Sequence, residues 1–273
     1  MKKKPNTPKI VAHIVDNELL QPANPVSVNL IGAGGTGSHV LSALMRLNFM
    51  LNELGHPGLN VRLFDDDVIE KKNRLRMLFT DAEVGLYKSV VLINRINRGF
   101  GLNWKAVPEK YSPEGLKQSS HLAMATITIS TVDSVDARFG IAEILTQSRK
   151  LSGFRRDCPK YWLDFGNSRD SGQVILSTVG EIKQPESKKF DTRPVLRMVT
   201  DEFPDLLKAG EAKDKGHNCS TASALEEQDL YINASLAYQG AEILKKMFRE
   251  GILFDRGFFH NLKGFRTQPL KIT

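Results

Sequence analysis

Cysteine is scarce in this chain: Cys158 and Cys219 are the two thiols in 273 residues. That excludes a disulfide scaffold and any zinc site built on four thiolates. Long apolar runs are missing too. No stretch approaches the roughly 18 residues of a membrane helix. The basic start Met1-Lys2-Lys3-Lys4-Pro5 lacks the apolar core of a signal peptide behind it. A cytoplasmic protein with no membrane partner is the expectation. Acidic residues are outnumbered, 31 Asp plus Glu against 38 Lys plus Arg, for a net charge of +7. Nucleic acid, a nucleotide or an acidic protein would each suit that excess, so charge does not choose among them. What is present, 41% apolar and 25% charged residues, is ordinary for a chain with a substantial core.

Residues 1–25 read as a basic N-terminal arm, with Ile10 to Val15 as a candidate edge strand. From residue 26 the pattern sharpens. Val26-Ser27-Val28-Asn29-Leu30-Ile31 alternates and ends in an apolar pair, a buried strand. It runs into Gly32-Ala33-Gly34-Gly35-Thr36-Gly37, and Val40, Leu41, Leu44, Leu47, Leu51 and Leu54 then fall on one helical face. Gly55 and Pro57 end that helix. Val61 to Phe64 is a second strand, closed by Asp65-Asp66-Asp67. Strand, glycine turn, helix and strand form one βαβ unit of a parallel sheet. Further on, helices are predicted over 85–98, 136–149 and 225–250, and strands over 123–131, 161–165 and 173–177. A hairpin turning at Lys263-Gly264 closes the chain. The charged, Pro- and Gly-containing stretch 181–218 has so weak a period that it reads as a mobile insertion. The fold expected is a single α/β, Rossmann-like domain over 26–273 with a mostly parallel central sheet.

The motif Gly32-x-Gly34-x-x-Gly37 stands between a strand and a helix, the context that gives it meaning. Gly32 permits the tight turn, Gly34 lets a phosphate approach the backbone, and Gly37 lets helix and strand pack closely. A tight turn without a ligand is the plainer alternative. With no Gly-Lys-Ser/Thr ending it is not a Walker-type loop, and it does not name the nucleotide. Asp65, directly after the strand, is the candidate for the ribose hydroxyls. Asp67 falls on the same side and faces the phosphates, although an Asp-rich turn explains one or two of the three aspartates. Asn73, Arg76 and Lys88 follow as a cation-bearing set, which pyrophosphate departure needs and hydride transfer does not. Asp133, after the strand at 123–131, stands where magnesium is held over a nucleotide, with Ser134 or Asp136 free to cap the next helix.

Taken in order, Gly-Ala-Gly-Gly-Thr-Gly-Ser, Asp65-x-Asp67, Asn73-x-x-Arg76, Val84-Gly85-x-x-Lys88 and Val132-Asp133-Ser134 resemble the ThiF/MoeB and ubiquitin-activating (E1-like) superfamily. Tyr161-Trp162-Leu163-Asp164, Cys219-Ser220 and Gln228-Asp229-Leu230-Tyr231-Ile232-Asn233 extend the resemblance to the ThiF family of the PRTRC plasmid-type gene system. It spans most of residues 26–270. The resemblance implies adenylation of the C-terminus of a ubiquitin-like protein with ATP and Mg2+, by a homodimer. It also implies that Gly32, Gly34, Gly35 and Gly37 bind ATP, with Asp65 on its ribose. Asn73, Lys88 and Arg76 would hold the phosphates, Arg76 from the partner subunit, and Asp133 the magnesium. Two departures stand out: Met77 replaces the usual glutamine, and the paired Cys-x-x-Cys zinc motifs are absent.

Cys219 precedes a plausible helix start at Ser220, where the thiol pKa would fall and an acyl group could pass to it as a thioester, on the way to an E2-like conjugating protein. A small packing cysteine is the other reading. An NAD-dependent oxidoreductase and a scaffold subunit without turnover are the competing functions. No nucleic-acid partner is expected.

Overall fold

The computed structural model describes residues 9–71, 73, 77, 79–114, 120–153, 156–213 and 229–273. The first βαβ unit sits at its centre. Strand β2 (Val26–Ile31) is buried along its whole length and leads through the glycine turn into α1 (Gly35–Glu53). Val40, Leu41, Leu44, Leu47 and Leu51 of α1 are buried as the period predicts. Leu54 lies just past the helix and is half-exposed. Gly55 turns the chain back with φ +80, into β3 (Leu59–Phe64). Helix α2 (Lys88–Phe100) and β4 (Lys105–Val107) follow, then β5 (Ile127–Ser130), α3 (Val135–Ser152) and β6 (Tyr161–Asn167).

These strands lie in the order β4-β3-β2-β5-β6, every neighbouring pair parallel. The chain leaves β2 toward β3 on one side and returns to β5 on the other. The crevice between β2 and β5 is therefore the topological switch point of a doubly wound sheet, where ligands bind at the carboxyl ends of the strands. From β6 the sheet continues antiparallel through β7 (Ser171–Thr178), β10 (Asp255–Asn261) and β11 (Arg266–Lys271), giving eight strands in all. The predicted α/β, mostly parallel fold and its closing hairpin are thus present. The strand expected over 123–131 is shorter, because Ser120–Ala123 form a 3-10 turn ahead of it.

Two segments differ from expectation. Strand β1 (Ile10–Ile14) is not an edge strand but the middle of a three-stranded sheet, between β8 (Phe190–Thr192) and β9 (Ile252–Leu253). In 181–218, the described part to residue 213 carries β8, α4 (Val199–Glu202) and α5 (Pro204–Lys213), and buries Ile182, Leu196, Val199 and Leu207. It packs on the domain because its apolar residues, though aperiodic, reach two buried clusters: Ile182 and Leu196 join the main core, while Val199 and Leu207 pack with Ile141, Ile144 and Leu145 of α3. Helix α6 (Ile232–Glu250) begins seven residues later than predicted, residues 225–228 lying outside the described residues, and runs alongside α1.

His13 ties the small sheet to the large one. It is fully buried, with Nδ1 2.7 Å from the Arg193 carbonyl and Nε2 3.0 Å from the Tyr161 hydroxyl. That hydroxyl accepts from the Asp16 N–H, which leaves its proton for Nε2 and assigns the neutral ring with its proton on Nδ1. Burial holds the His13 pKa below its ordinary value. The unfolded chain therefore takes up a proton below about pH 6.5 that the fold refuses, and stability is lost as pH falls through that range. Burial shifts His39 in the same direction. Melting curves between pH 7.5 and 5 are expected to show this acid loss, and His13→Gln to weaken it without abolishing it.

Candidate functional site

The glycine turn is held by the two strands that flank the switch point. Gly32 adopts φ +95, a conformation other residues reach only under strain. Its N–H donates to the Phe64 carbonyl at 2.9 Å. The Thr131 hydroxyl donates to the Ile31 and Gly32 carbonyls, both at 3.0 Å. A Cβ at position 37 would overlap the Gly32 carbonyl oxygen, and one at position 35 would stand 2.6 Å from the Asn233 amide nitrogen. Around Gly34 nothing lies within 4 Å of a Cβ. Gly34 is also the N-cap of α1 and offers no side-chain cap. Three glycines are thus forced by packing, while the fourth stands beside open space at an uncapped helix N-terminus. Such an end presents N–H groups and a positive dipole end to an anion. The cradle fits a phosphate.

Asp65 closes the far side of this turn. One carboxylate oxygen accepts from the Ala33 N–H at 2.6 Å, the other from the Asp67 N–H at 3.0 Å. Burial pushes its pKa above the usual carboxylate range, opposed by the Ala33 bond and the charge of Lys88. The Asp65 carbonyl accepts from the Ser89 hydroxyl at 2.8 Å, pinning the first turn of α2 to the end of β3. Lys88 opens that helix, is 8% exposed, and places Nζ 2.6 Å from an Asp67 carboxylate oxygen. Asp67, predicted to meet the phosphates, thus spends one oxygen on this lysine.

Across the crevice, Ser134 caps α3 by accepting from the Ala137 N–H at 3.2 Å. The cap falls to Ser134 rather than Asp136, and leaves the exposed Asp133 side chain for another task. Among the described residues no three His, Cys, Asp or Glu side chains gather as a metal cage. A lone hard carboxylate suits Mg2+ that arrives already bound to phosphates, and so fits that ion better than a resident metal.

Asn73 is buried, with its side-chain oxygen accepting from the Glu70 N–H at 2.8 Å in a local turn. Met77, in the glutamine's place, is 6% exposed and packs into the main core. Arg76 and Cys219 lie outside the described residues. The structure therefore brings together the glycine turn, Asp65, Asp67 and Lys88, and sets the β5–α3 loop bearing Asp133 beside them through Thr131. Sequence reasoning missed a polar junction behind the cradle. The Asn233 side-chain oxygen accepts from the Thr36 hydroxyl at 2.7 Å and from the Asn167 amide at 2.6 Å. Its signal was available, since Asn233 ends one of the quoted motifs.

A profile of the ThiF family matches residues 8–226. The chain belongs to the ThiF family. The family's usual activity is ATP-dependent adenylylation. Compared by sequence with curated proteins, the chain matches none. Among solved structures it is similar to E. coli MccB, at 15% identity and TM-score 0.56 over 93% of this chain and 63% of that one. PaaA is similar at 16% identity and TM-score 0.59, over 94% of this chain and 75% of PaaA. A structure of E. coli MccB with ATP aligns at 16% identity and TM-score 0.54, over 93% and 64% of the two chains. The ThiF-family chain thus spans less than two thirds of the length of MccB. At these identities the likeness is one of fold.

Glycine substitutions separate packing from binding. Gly37→Ala is expected to cost about 3 kcal/mol, on the order of 6–10 °C in melting temperature. Gly34→Ala, with room for its methyl, is expected to keep the wild-type melting curve. In titration calorimetry it loses ATP affinity by about tenfold, the loss of a contact worth roughly 1.4 kcal/mol.

Proposed function

We propose that this ThiF-family chain uses ATP and Mg2+ to adenylate the C-terminal carboxylate of a ubiquitin-like protein. The observation that carries the reading is Lys88. A buried ammonium at the first position of a helix opposes the helix dipole and adds nothing to helix stability. Beside an open anion cradle it is charge kept ready for phosphates. A dehydrogenase has no use for it, which disfavours the NAD-dependent alternative.

In this reading the Gly34–Gly37 turn binds the phosphates and Asp65 accepts from the ribose hydroxyls. The incoming carboxylate oxygen attacks the α-phosphorus in line, and the bond from that phosphorus to the bridging oxygen breaks. Pyrophosphate leaves with the electron pair, and Lys88 stabilises the charge that grows there. Asn73 and Arg76, the latter from the partner of a homodimer, complete the phosphate contacts. Asp133 would hold the Mg2+, which supplies further positive charge on the phosphate oxygens. The product is an acyl-adenylate. If Cys219 then attacks its carbonyl, AMP departs and a thioester remains for an E2-like protein to collect.

Exchange of labelled pyrophosphate into ATP, run with ubiquitin-like proteins of the same source, tests the proposal. Exchange is expected only with a carrier present, falling about 100-fold or more in Lys88→Ala and Asp133→Ala. Cys219→Ala should keep exchange and lose only a thiol-sensitive adduct on gels. No exchange with any carrier, together with measurable NAD binding, would overturn the adenylation reading.

A further inference from the structure

The end of β5, the start of α3 and the end of β6 meet at a buried ion pair that the reaction as proposed does not use. Arg138 is 5% exposed and Asp164 1%. The Arg138 Nε lies 3.2 and 3.1 Å from the two Asp164 oxygens. Asp164 also accepts from the Ser130 hydroxyl at 2.5 Å, and Ser130 in turn accepts from the Trp162 indole N–H at 2.7 Å. The carboxylate is thereby locked from the strand side.

The other guanidinium nitrogens are spent on backbone. Nη2 donates to the Val132 carbonyl at 2.7 Å and the Phe165 carbonyl at 2.9 Å, and Nη1 reaches the Ser134 carbonyl at 3.4 Å. Val132 and Ser134 are the residues on either side of Asp133. One planar fork therefore fixes both carbonyls flanking the proposed metal carboxylate and ties them to β6. A buried ion pair adds little stability over an apolar pair of the same shape, so stability alone does not account for it. Its geometry accounts for it better: the five donors of an arginine span three carbonyls and a carboxylate, which a lysine cannot do.

We propose that Arg138, oriented by Asp164 and Ser130, is the positioning residue that holds Asp133 in place for a phosphate-bound divalent ion. The inference rests on the reading of Asp133 given above. Groups that orient a metal ligand through hydrogen bonds cost roughly 10- to 100-fold in metal affinity when altered.

Mn2+ serves as the probe, its free signal followed by electron paramagnetic resonance, with protein and the non-hydrolysable α,β-methylene analogue of ATP. Arg138→Lys keeps the charge and loses the fork. It is expected to weaken Mn2+ binding about tenfold, with affinity for the metal-free analogue unchanged. Ser130→Ala, which removes the hydroxyl donor to one Asp164 oxygen and leaves Arg138 in place, should shift Mn2+ binding the same way by a smaller factor. It carries the test if Arg138→Lys does not fold. Asp133→Ala losing Mn2+ while Arg138→Lys and Ser130→Ala bind it as wild type does would overturn the positioning role and leave the Asp133 reading standing. Wild-type Mn2+ binding in Asp133→Ala would overturn both. Equal losses of Mn2+ and of metal-free analogue in Arg138→Lys would reduce the ion pair to an anchor of the fold and overturn the inference.

Discussion

The contact between Gly37 and the Gly32 carbonyl governs the architecture. With no side chain at position 37, the first turn of α1 settles directly onto the end of β2. That depth sets where the helix N-terminus stands in the crevice between β2 and β5. It also sets how α1 crosses the sheet, and thus where α6 can lie along it. The approach of α6 is just as tight, since a Cβ at Gly35 would meet Asn233 of its first turn. Two glycines therefore place a whole helical layer. The cost in chain entropy, roughly 0.5–1 kcal/mol for each glycine in a helix, is small beside the side chains that α1 buries.

The adenylation reading also accounts for the charge around the cradle, which the empty fold explains poorly. A lysine at a helix N-terminus is unfavourable by about 0.3–1 kcal/mol. Its partner Asp67 has a side chain 67% exposed, so the ion pair returns no more than about 1 kcal/mol. Asp65 is held partly out of water against its preference for charge. In the free protein the lysine roughly breaks even, and Asp65 keeps its two backbone N–H donors at a cost in burial. In the proposed reading a bound nucleotide would change the balance, its phosphates meeting both the helix end and the ammonium and its ribose hydroxyls the carboxylate.

How much of this was legible in the sequence follows from how local each signal is. Helix α1 and strands β2 and β3 announce themselves because their periods and punctuation lie within one continuous stretch, from Val26 to Phe64. The glycine turn, Asp65 and Lys88 were legible for the same reason, as residues at fixed offsets from those elements. Strand β1 was visible only as an edge strand, because both of its partners are remote. His13 meets Arg193 across 180 positions. Strand β8 has three residues, too few to show alternation, so 181–218 read as a mobile insertion. The Arg138–Asp164 pair was hidden differently. Asp164 ends a quoted motif, but a separation of 26 positions from Arg138, in two different elements, gives no pattern, and only the parallel register of β5 and β6 brings them together.

The antiparallel turn from β6 into β7 completes the logic of the crevice. A sheet that stayed parallel would need a helical crossover after β6. Instead the chain reverses within Ser168–Asp170, and the Asp229 N–H donates to the Arg169 carbonyl at 2.7 Å, while the Leu262 N–H donates to the Asp170 carbonyl at 2.7 Å. The start of α6 and the closing hairpin are thereby both anchored at the carboxyl end of the parallel strands. Asn167, the last residue of β6, reaches Asn233, and Asn233 reaches Thr36 in the first turn of α1. The C-terminal third of the chain is in this way bonded to the glycine turn that opens the first βαβ unit. Loss of that junction would loosen the cradle without removing a single group assigned to the nucleotide.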